Sequence, residues 1–521
     1  MFILHNISYI HIDKELLFDN INLSLNPKEK IAVIGNNGVG KSTLLKIIAG
    51  QIPPSAGNIS RTSTPYYVPQ IVGQFDNLTV AQAIGISERL IALSGILSGN
   101  VTEENLSALN DDWTMEERCK DALSYWQLDD LDLNLEMRML SGGQKTKVFL
   151  AGINIHNPDI VLLDEPTNHL DFRARNILYQ FIQETSCSLV AVSHDRNLLN
   201  ILDKMCELNR HEIKIYGGNY DFYKEQKNLE NAALVNHLEE TQKSLRKAKA
   251  TERETLERQQ KRESHGKKNL KKSNIPAILA GGRKNNAENT TAKMKGVHTR
   301  KINAIEQELG CLRKEIPDRD KMKFGFDGST LHKGKILVAA KGINYAYHEN
   351  LLWENPLDFQ IVSGERIAIK GENGTGKTTL IRLISGEREP TCGSLFRADN
   401  KILYIDQEYS LISSRLNVYE QTQAFNNSAL QESEIKTRLN RFLFSKDVWN
   451  KPCAVLSGGE KMRLLLCCLT VTTQSPDIIF LDEPTNNIDI QNVEILTEAI
   501  DEYQGTLIVV SHDQYFLKQI H

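Results

Sequence analysis

The stretch "IAVIGNNGVGKSTLLKIIAG" at 31–50 returns as "IAIKGENGTGKTTLIRLISG" at 367–386, an offset of 336 residues. Each copy joins a β-branched run to a helical pattern through G-x-x-x-x-G-K-[ST], so strand, glycine loop and helix N-terminus follow in order. That arrangement cradles phosphates. Gly35, Asn36, Asn37, Gly38 and Gly40, and again Gly371, Glu372, Asn373, Gly374 and Gly376, form loops whose glycines let backbone N–H groups face an anion. Lys41 and Lys377 neutralise the outer phosphates, Ser42 and Thr378 hold Mg²⁺, and Thr43 and Thr379 complete the nucleotide-binding turn. The pattern predicts an α/β chain with two phosphate-binding domains.

Further matches keep the same order. "LSGGQ" at 140–144 pairs with "LSGGE" at 456–460, "IVLLDEPTN" at 160–168 with "IIFLDEPTN" at 478–486, and "VSHD" at 192–195 with "VSHD" at 510–513. From Asp164 to His194 is 30 residues, as it is from Asp482 to His512, so the chain is a duplicated domain. An apolar strand ending on two acids is a costly place for carboxylates without a task. Asp164 and Asp482 are expected to bind Mg²⁺ through water, and Glu165 and Glu483 to polarise the attacking water. His194 and His512 are expected to contact the γ-phosphate and that water; one such histidine is more often structural, but repetition at one spacing favours function. Ser141, Gly143 and Gln144, with Ser457, Gly459 and Glu460, open helices and so supply a second anion-binding terminus to each nucleotide.

Between the copies the sequence becomes long, charged and helix-favouring. From 241 to 300 it carries 17 Lys and Arg against 5 Glu and no Asp, an excess of +12. The whole chain is −4, so everything else carries −16. Such segregation points to a polyanion met by one segment, although charge runs are also ordinary solvated faces. Ile302, Ile305, Leu309, Leu312 and Ile316 fall on one helical stripe, and Leu234, Leu238 and Leu245 offer a thinner one. With turn signals in "SNIPAILAGG" at 273–282, they predict two antiparallel helices with an apolar tip. Lys267, Lys268, Lys271, Lys272, Arg283 and Lys284 are the candidate RNA contacts. No stretch has the roughly 20 apolar residues of a membrane span, and the start does not read as a signal peptide, so a cytoplasmic protein is expected. Its eight cysteines are scattered without a C-x-x-C pair, which predicts idle or buried thiols.

On these motifs the chain resembles the ATP-binding cassette proteins over about four-fifths of its length. The resemblance implies an ATPase of two tandem cassettes, residues 1–223 and 325–521, that close head to tail within one chain, and hence a monomer. One site then joins Lys41, Ser42, Gln70, Asp164, Glu165 and His194 to Ser457 and Gly459. The other joins Lys377, Thr378, Gln407, Asp482, Glu483 and His512 to Ser141 and Gly143. By the same resemblance Gln70 and Gln407 complete the Mg²⁺ sets, and Tyr347 stacks on adenine. The matching stretch of the first half offers only His11 or Ile12 for that stacking.

Tandem cassettes, "PTNHLD" and a helical linker at 224–324 resemble the ABC-F group in particular. That likeness implies a partner, the ribosome, with the linker near the P-site tRNA and peptidyl transferase centre, and in some members protection from antibiotics. From Gln70 to Leu140 are 70 positions and from Gln407 to Leu456 only 49, so a small arm of about 21 residues is expected within 75–135. Departures are Asn487 where the first half has His169, and only nine residues after His512 where the first half runs on through "YGGNYDFY". The motor subunit of a membrane transporter and a DNA-associated scaffold ATPase are the other readings.

Overall fold

The computed structural model describes residues 1–520 except 12–13, 273–295, 314–331, 333, 349, 473–474 and 487; within the helix Tyr220–Lys272 the side chains of 259, 262–263 and 266–272 are also outside the described set. Ile12, Arg283, Lys284, Ile316, Asn487 and the apolar tip therefore lie outside the described residues. Contacts divide the chain into one unit of Met1–Phe222 with Lys321–His521, which holds both cassettes, and a second of Tyr223–Asp320.

In the first cassette the apolar runs become a six-stranded sheet. Its order is Tyr66–Val68, Ile160–Asp164, Ser188–Val192, Lys30–Ile34, Lys204–Leu208 and Ile213–Tyr216, parallel except at the last strand. Strands Ile160–Asp164 and Ser188–Val192 are buried at every residue, as expected of a sheet covered on both faces. An antiparallel sheet of Leu16–Leu25, Phe2–Ile10 and Ala56–Arg61 packs across the helix Lys41–Ala49. Phe2, Phe18, Leu44 and Ile48 meet Val33, Leu162 and Val190 in that core, each side chain contributing about 1.5–3 kcal/mol.

The second cassette repeats this plan with a four-stranded parallel sheet ordered Arg366–Ile369, Thr506–Val510, Ile478–Asp482 and Ile402–Ile405. An antiparallel sheet of Leu357–Val362, Ile336–Asn344 and Cys392–Arg397 accompanies it. Helices Val418–Ala424, Glu432–Arg441, Gly458–Thr470 and Ile490–Glu502 close the other face. In the first cassette two further helices, Ser87–Leu97 and Glu103–Leu109, fall inside the span of the expected arm. They bury only Ala92, Leu93 and Leu109 between them, while Ile91, Leu97 and Leu106 are exposed.

The second unit comprises most of the helix Tyr220–Lys272, about 80 Å long at 1.5 Å per residue, and a helix over 296–313. Ile302, Leu309 and Leu312 are buried, Leu234, Leu238 and Leu245 half-buried, and Lys249–Glu306 and His237–Glu308 pair at 2.7 and 3.4 Å. Among the described residues no helix is long and apolar enough to cross a membrane. Cys119, Cys206, Cys453, Cys467 and Cys468 are buried, Cys187 is half-buried, and Cys311 and Cys392 are exposed.

Candidate nucleotide sites

Both glycine loops end on a glycine in the left-handed region, Gly40 at φ 101° and Gly376 at φ 89°, each the N-cap of the next helix. A Cβ there would lie 2.6 Å from the Leu17 side chain or 2.4 Å from that of Leu352, so only glycine fits. With no side chain capping these helices, their first N–H groups stay available to an anion. Lys41 Nζ donates to the carbonyls of Gly35 and Asn36 at 2.7 and 3.2 Å, and Lys377 Nζ to those of Gly371 and Glu372 at 2.9 and 2.9 Å. Each ammonium thus lies folded over its own loop.

At the end of the strand two places along each sheet from the one that feeds the loop, Asp164 accepts from Ser42 Oγ at 3.0 Å and Asp482 from Thr378 Oγ1 at 3.1 Å. Tyr67 and Tyr404 hydroxyls each donate to the same carboxylates at 2.9 Å. The sequence reading missed both tyrosines. The signal was there, because each stands three residues before its glutamine, Gln70 or Gln407.

The next residue turns sharply. Glu165 and Glu483 both have φ 49°, an uncommon conformation that costs on the order of 1 kcal/mol or more. Their N–H groups donate to Val192 and Val510 at 2.8 Å, which pins the turn and swings each carboxylate toward the neighbouring strand end. There it accepts from the His194 or His512 N–H at 3.3 Å. Burial pushes Glu165 up to about 8 and Glu483 up to about 7, and drives His194 well below its usual value and His512 to about 4. The imidazoles are therefore neutral, and the 3.3–3.4 Å Glu–His contacts are not ion pairs at neutral pH.

Each cavity draws on both cassettes. The first is lined by His11, Asn37, Gly38, Gly40, Lys41, Ser42, Thr43, Gln70, Glu165 and His194 with Ser457 and Gly458. The second is lined by Asn373, Gly374, Gly376, Lys377, Thr378, Thr379, Gln407, Asp482, Glu483 and His512 with Ser141 and Gly143. Tyr347 also lines it, its hydroxyl 3.0 Å from Thr379 Oγ1 and the Arg388 guanidinium 5.3 Å over its ring. Across the cassettes Asn373 Nδ2 donates to the His169 carbonyl at 3.0 Å and Arg173 pairs with Glu372 at 2.7 Å.

Not every sequence candidate reaches a cavity in the same way. Gln144 and Glu460 close capping boxes, accepting from the Ser141 and Ser457 N–H groups at 2.9 and 2.8 Å. Gly459 is packed against Asn492, where a Cβ would come within 2.2 Å, and Gly35 sits beneath the Leu208 carbonyl. Asn36 and Glu460 line a neighbouring cavity beside Ser457. The side chains of Lys267, Lys268, Lys271 and Lys272 belong to the undescribed part of the long helix.

The family model described as ABC transporter matches residues 18–168 and 355–486, more than half of the chain. ABC transporter F family member 5 of Arabidopsis thaliana is 30% identical over 523 residues, covering 94% of this chain and 70% of the relative. The chain belongs to the ABC transporter F family. A second relative, ATP-binding protein Uup of Haemophilus influenzae, is 29% identical over 542 residues, covering 98% of this chain and 76% of the relative. Among solved structures, an archaeal ribosome recycling factor, aABCE1, in complex with the stalk protein aP1 superposes with a TM-score of 0.59 at 19% identity, over 99% of this chain and 86% of that one. That likeness is one of fold. As an ABC-F protein the chain is an ATPase built from two cassettes and a helical linker.

Proposed function

We propose that this ABC-F ATPase acts in the cytoplasm on the ribosome, as a monomer: it docks with ATP bound, sets its linker beside the P-site tRNA and peptidyl transferase centre, and leaves on hydrolysis. The work done there is adjustment of translation or protection of the ribosome from antibiotics. What carries this reading is the charge: the linker segment holds +12 in a chain that is otherwise −16. A transporter motor has no evident use for a positive arm between its cassettes, whereas rRNA and tRNA present dense phosphates. Domain limits of 1–223, 224–324 and 325–521 serve this reading.

In the proposed reaction Glu165 or Glu483 orients a water, whose oxygen bonds to the γ-phosphorus. The bond from that phosphorus to the β,γ-bridging oxygen breaks, ADP keeps the electron pair, and the proton passes to the carboxylate. His194 and His512, held neutral by burial, then hydrogen-bond the phosphate and the water. Hard oxygen donors, Ser42 with Asp164 and Thr378 with Asp482, suit Mg²⁺, with Gln70 and Gln407 at the same cavities. When bound, that ion supplies charge neutralisation of the phosphates. Tyr67 and Tyr404 orient the aspartates, so Tyr67→Phe with Tyr404→Phe is expected to raise the Mg²⁺ concentration for half-maximal turnover about tenfold. An unchanged Mg²⁺ titration would remove that role.

Ribosome pelleting tests the proposal as a whole. Co-sedimentation is expected with ATP and to be lost with ADP. Binding is expected to weaken steeply with salt, and changing Lys267, Lys268, Lys271 and Lys272 to Gln is expected to lower the log–log slope by about 3. An unaltered slope would mean those charges are only solvated, and a protein that never pellets with ribosomes would return the transporter reading to first place.

A further inference from the structure

Among the cations that line the two nucleotide cavities, one has no counterpart. Asp171 and Asp489 cap matching helices, Phe172–Glu184 and Ile490–Glu502, each accepting from the N–H three residues on. Four residues after the cap, the first helix carries Arg175 and the second Val493. Val493 is buried in the apolar core of its own cassette. Arg175, although only 7% exposed, reaches the wall of the second cavity, which it shares with Lys377, Glu483 and His512. Its Nε donates to the Leu170 carbonyl at 3.1 Å and its Nη1 meets Asp195 Oδ2 at 3.3 Å, which fixes the guanidinium from behind. Tyr179 also donates to that Asp195 oxygen, at 2.6 Å, so the carboxylate is shared.

We propose that Arg175 of the first cassette is a catalytic cation of the second nucleotide site, contacting the transferred phosphoryl group from across the interface, and that the first site lacks its counterpart. The two sites then hydrolyse ATP at unequal rates, the second faster. A buried cation that faces the γ-phosphate gains most as charge spreads over the phosphoryl oxygens while the bond to the bridging oxygen breaks. Its field already reaches the site, since it adds to the burial and the Lys377 charge that depress His512. Among the described residues the first cavity is lined by Lys41 and two imidazoles, His11 and His194, while the Arg463 guanidinium lines the neighbouring cavity beside Asn37, Gly38 and Ser457.

This inference rests on Glu165 and Glu483 being the water-orienting groups of their sites, which allows each site to be read alone by single-turnover hydrolysis. In a Glu165→Gln background the second site remains. There Arg175→Gln is expected to lower the single-turnover rate about tenfold or more, with a smaller change in ATP affinity, and Arg175→Lys to recover part of it. In a Glu483→Gln background, where the first site remains, the same change is expected to leave the rate within about twofold. Equal losses at both sites, or an unchanged second site, would overturn the proposal. Because Arg175→Gln leaves Asp195 buried beside a neutral partner, the Arg175→Gln, Asp195→Asn pair is measured as well; it removes both charges and keeps a capping side chain. Should the Glu165→Gln, Glu483→Gln protein still hydrolyse ATP, the assignment of the glutamates fails rather than that of Arg175.

Discussion

Replacing Glu165 and Glu483 together by glutamine is expected to lower ATP turnover by about 100- to 10,000-fold, the range spanned by a positioned general base. The change is close to isosteric. An amide oxygen can still accept from the His194 and His512 N–H groups, and the strained φ 49° turns are pinned by backbone bonds to Val192 and Val510 that glutamine keeps. The fold and the loops that receive phosphate therefore persist, and only the group that accepts the water's proton is lost. Phosphate release measures the turnover, and binding of a fluorescent nucleotide checks that the loops still load. If closure sets the linker on the ribosome, this protein should also stay pelleted with ribosomes in ATP and inhibit translation, because the state favoured by binding can no longer be discharged. Turnover at the unmodified rate would end the assignment of both glutamates.

Arg196→Ala is expected to destabilise the paired cassettes by about 3–5 kcal/mol, the range for stripping one partner from a buried ion pair. Arg196 caps no cavity and would not be chosen from the sequence. It is 3% exposed; the Tyr220 ring of its own cassette lies at 5.9 Å, and its other partners come from the other cassette: the Tyr515 ring at 4.3 Å, Gln519 at 3.3 Å and Glu494 at 3.7 Å. The last distance is an ion pair rather than a hydrogen bond, so the stacking on Tyr515 carries part of the effect. Thermal unfolding of the full chain should shift downward, and protease should cut between the cassettes sooner. Arg196→Met, which fills similar volume without charge, is expected to lose less than Arg196→Ala if packing matters alongside charge. A melting temperature unchanged in Arg196→Ala would show that the contact contributes nothing.

The parts of the sites that were legible in the sequence are those set by near neighbours. Gly40 and Gly376 must be glycine because of their own φ and an adjoining side chain, and Ser141 and Ser457 cap helices through a residue three positions on. The duplication, the acids at the strand ends and the histidines 30 residues beyond them were equally plain, since one chain wrote each pattern twice. Even the tyrosines on Asp164 and Asp482 had a repeat spacing that marked them. The linker's charge, too, is a property of sequence alone.

Spatial neighbours decided the remainder. That Ser457 belongs with Lys41 and Ser141 with Lys377 followed in the sequence from family resemblance, not from any residue, because the partners stand hundreds of positions apart. Gln144 and Glu460 read as nucleotide contacts in the pentapeptides, but their carboxamide and carboxylate turn back to satisfy N–H groups of their own helices. Arg175 and Arg196 gave no signal, being ordinary charged residues on amphipathic helices. A local pattern fixes which face of a helix is buried; it does not say that a guanidinium on that face, held by Asp195, lines a cavity completed by the other cassette.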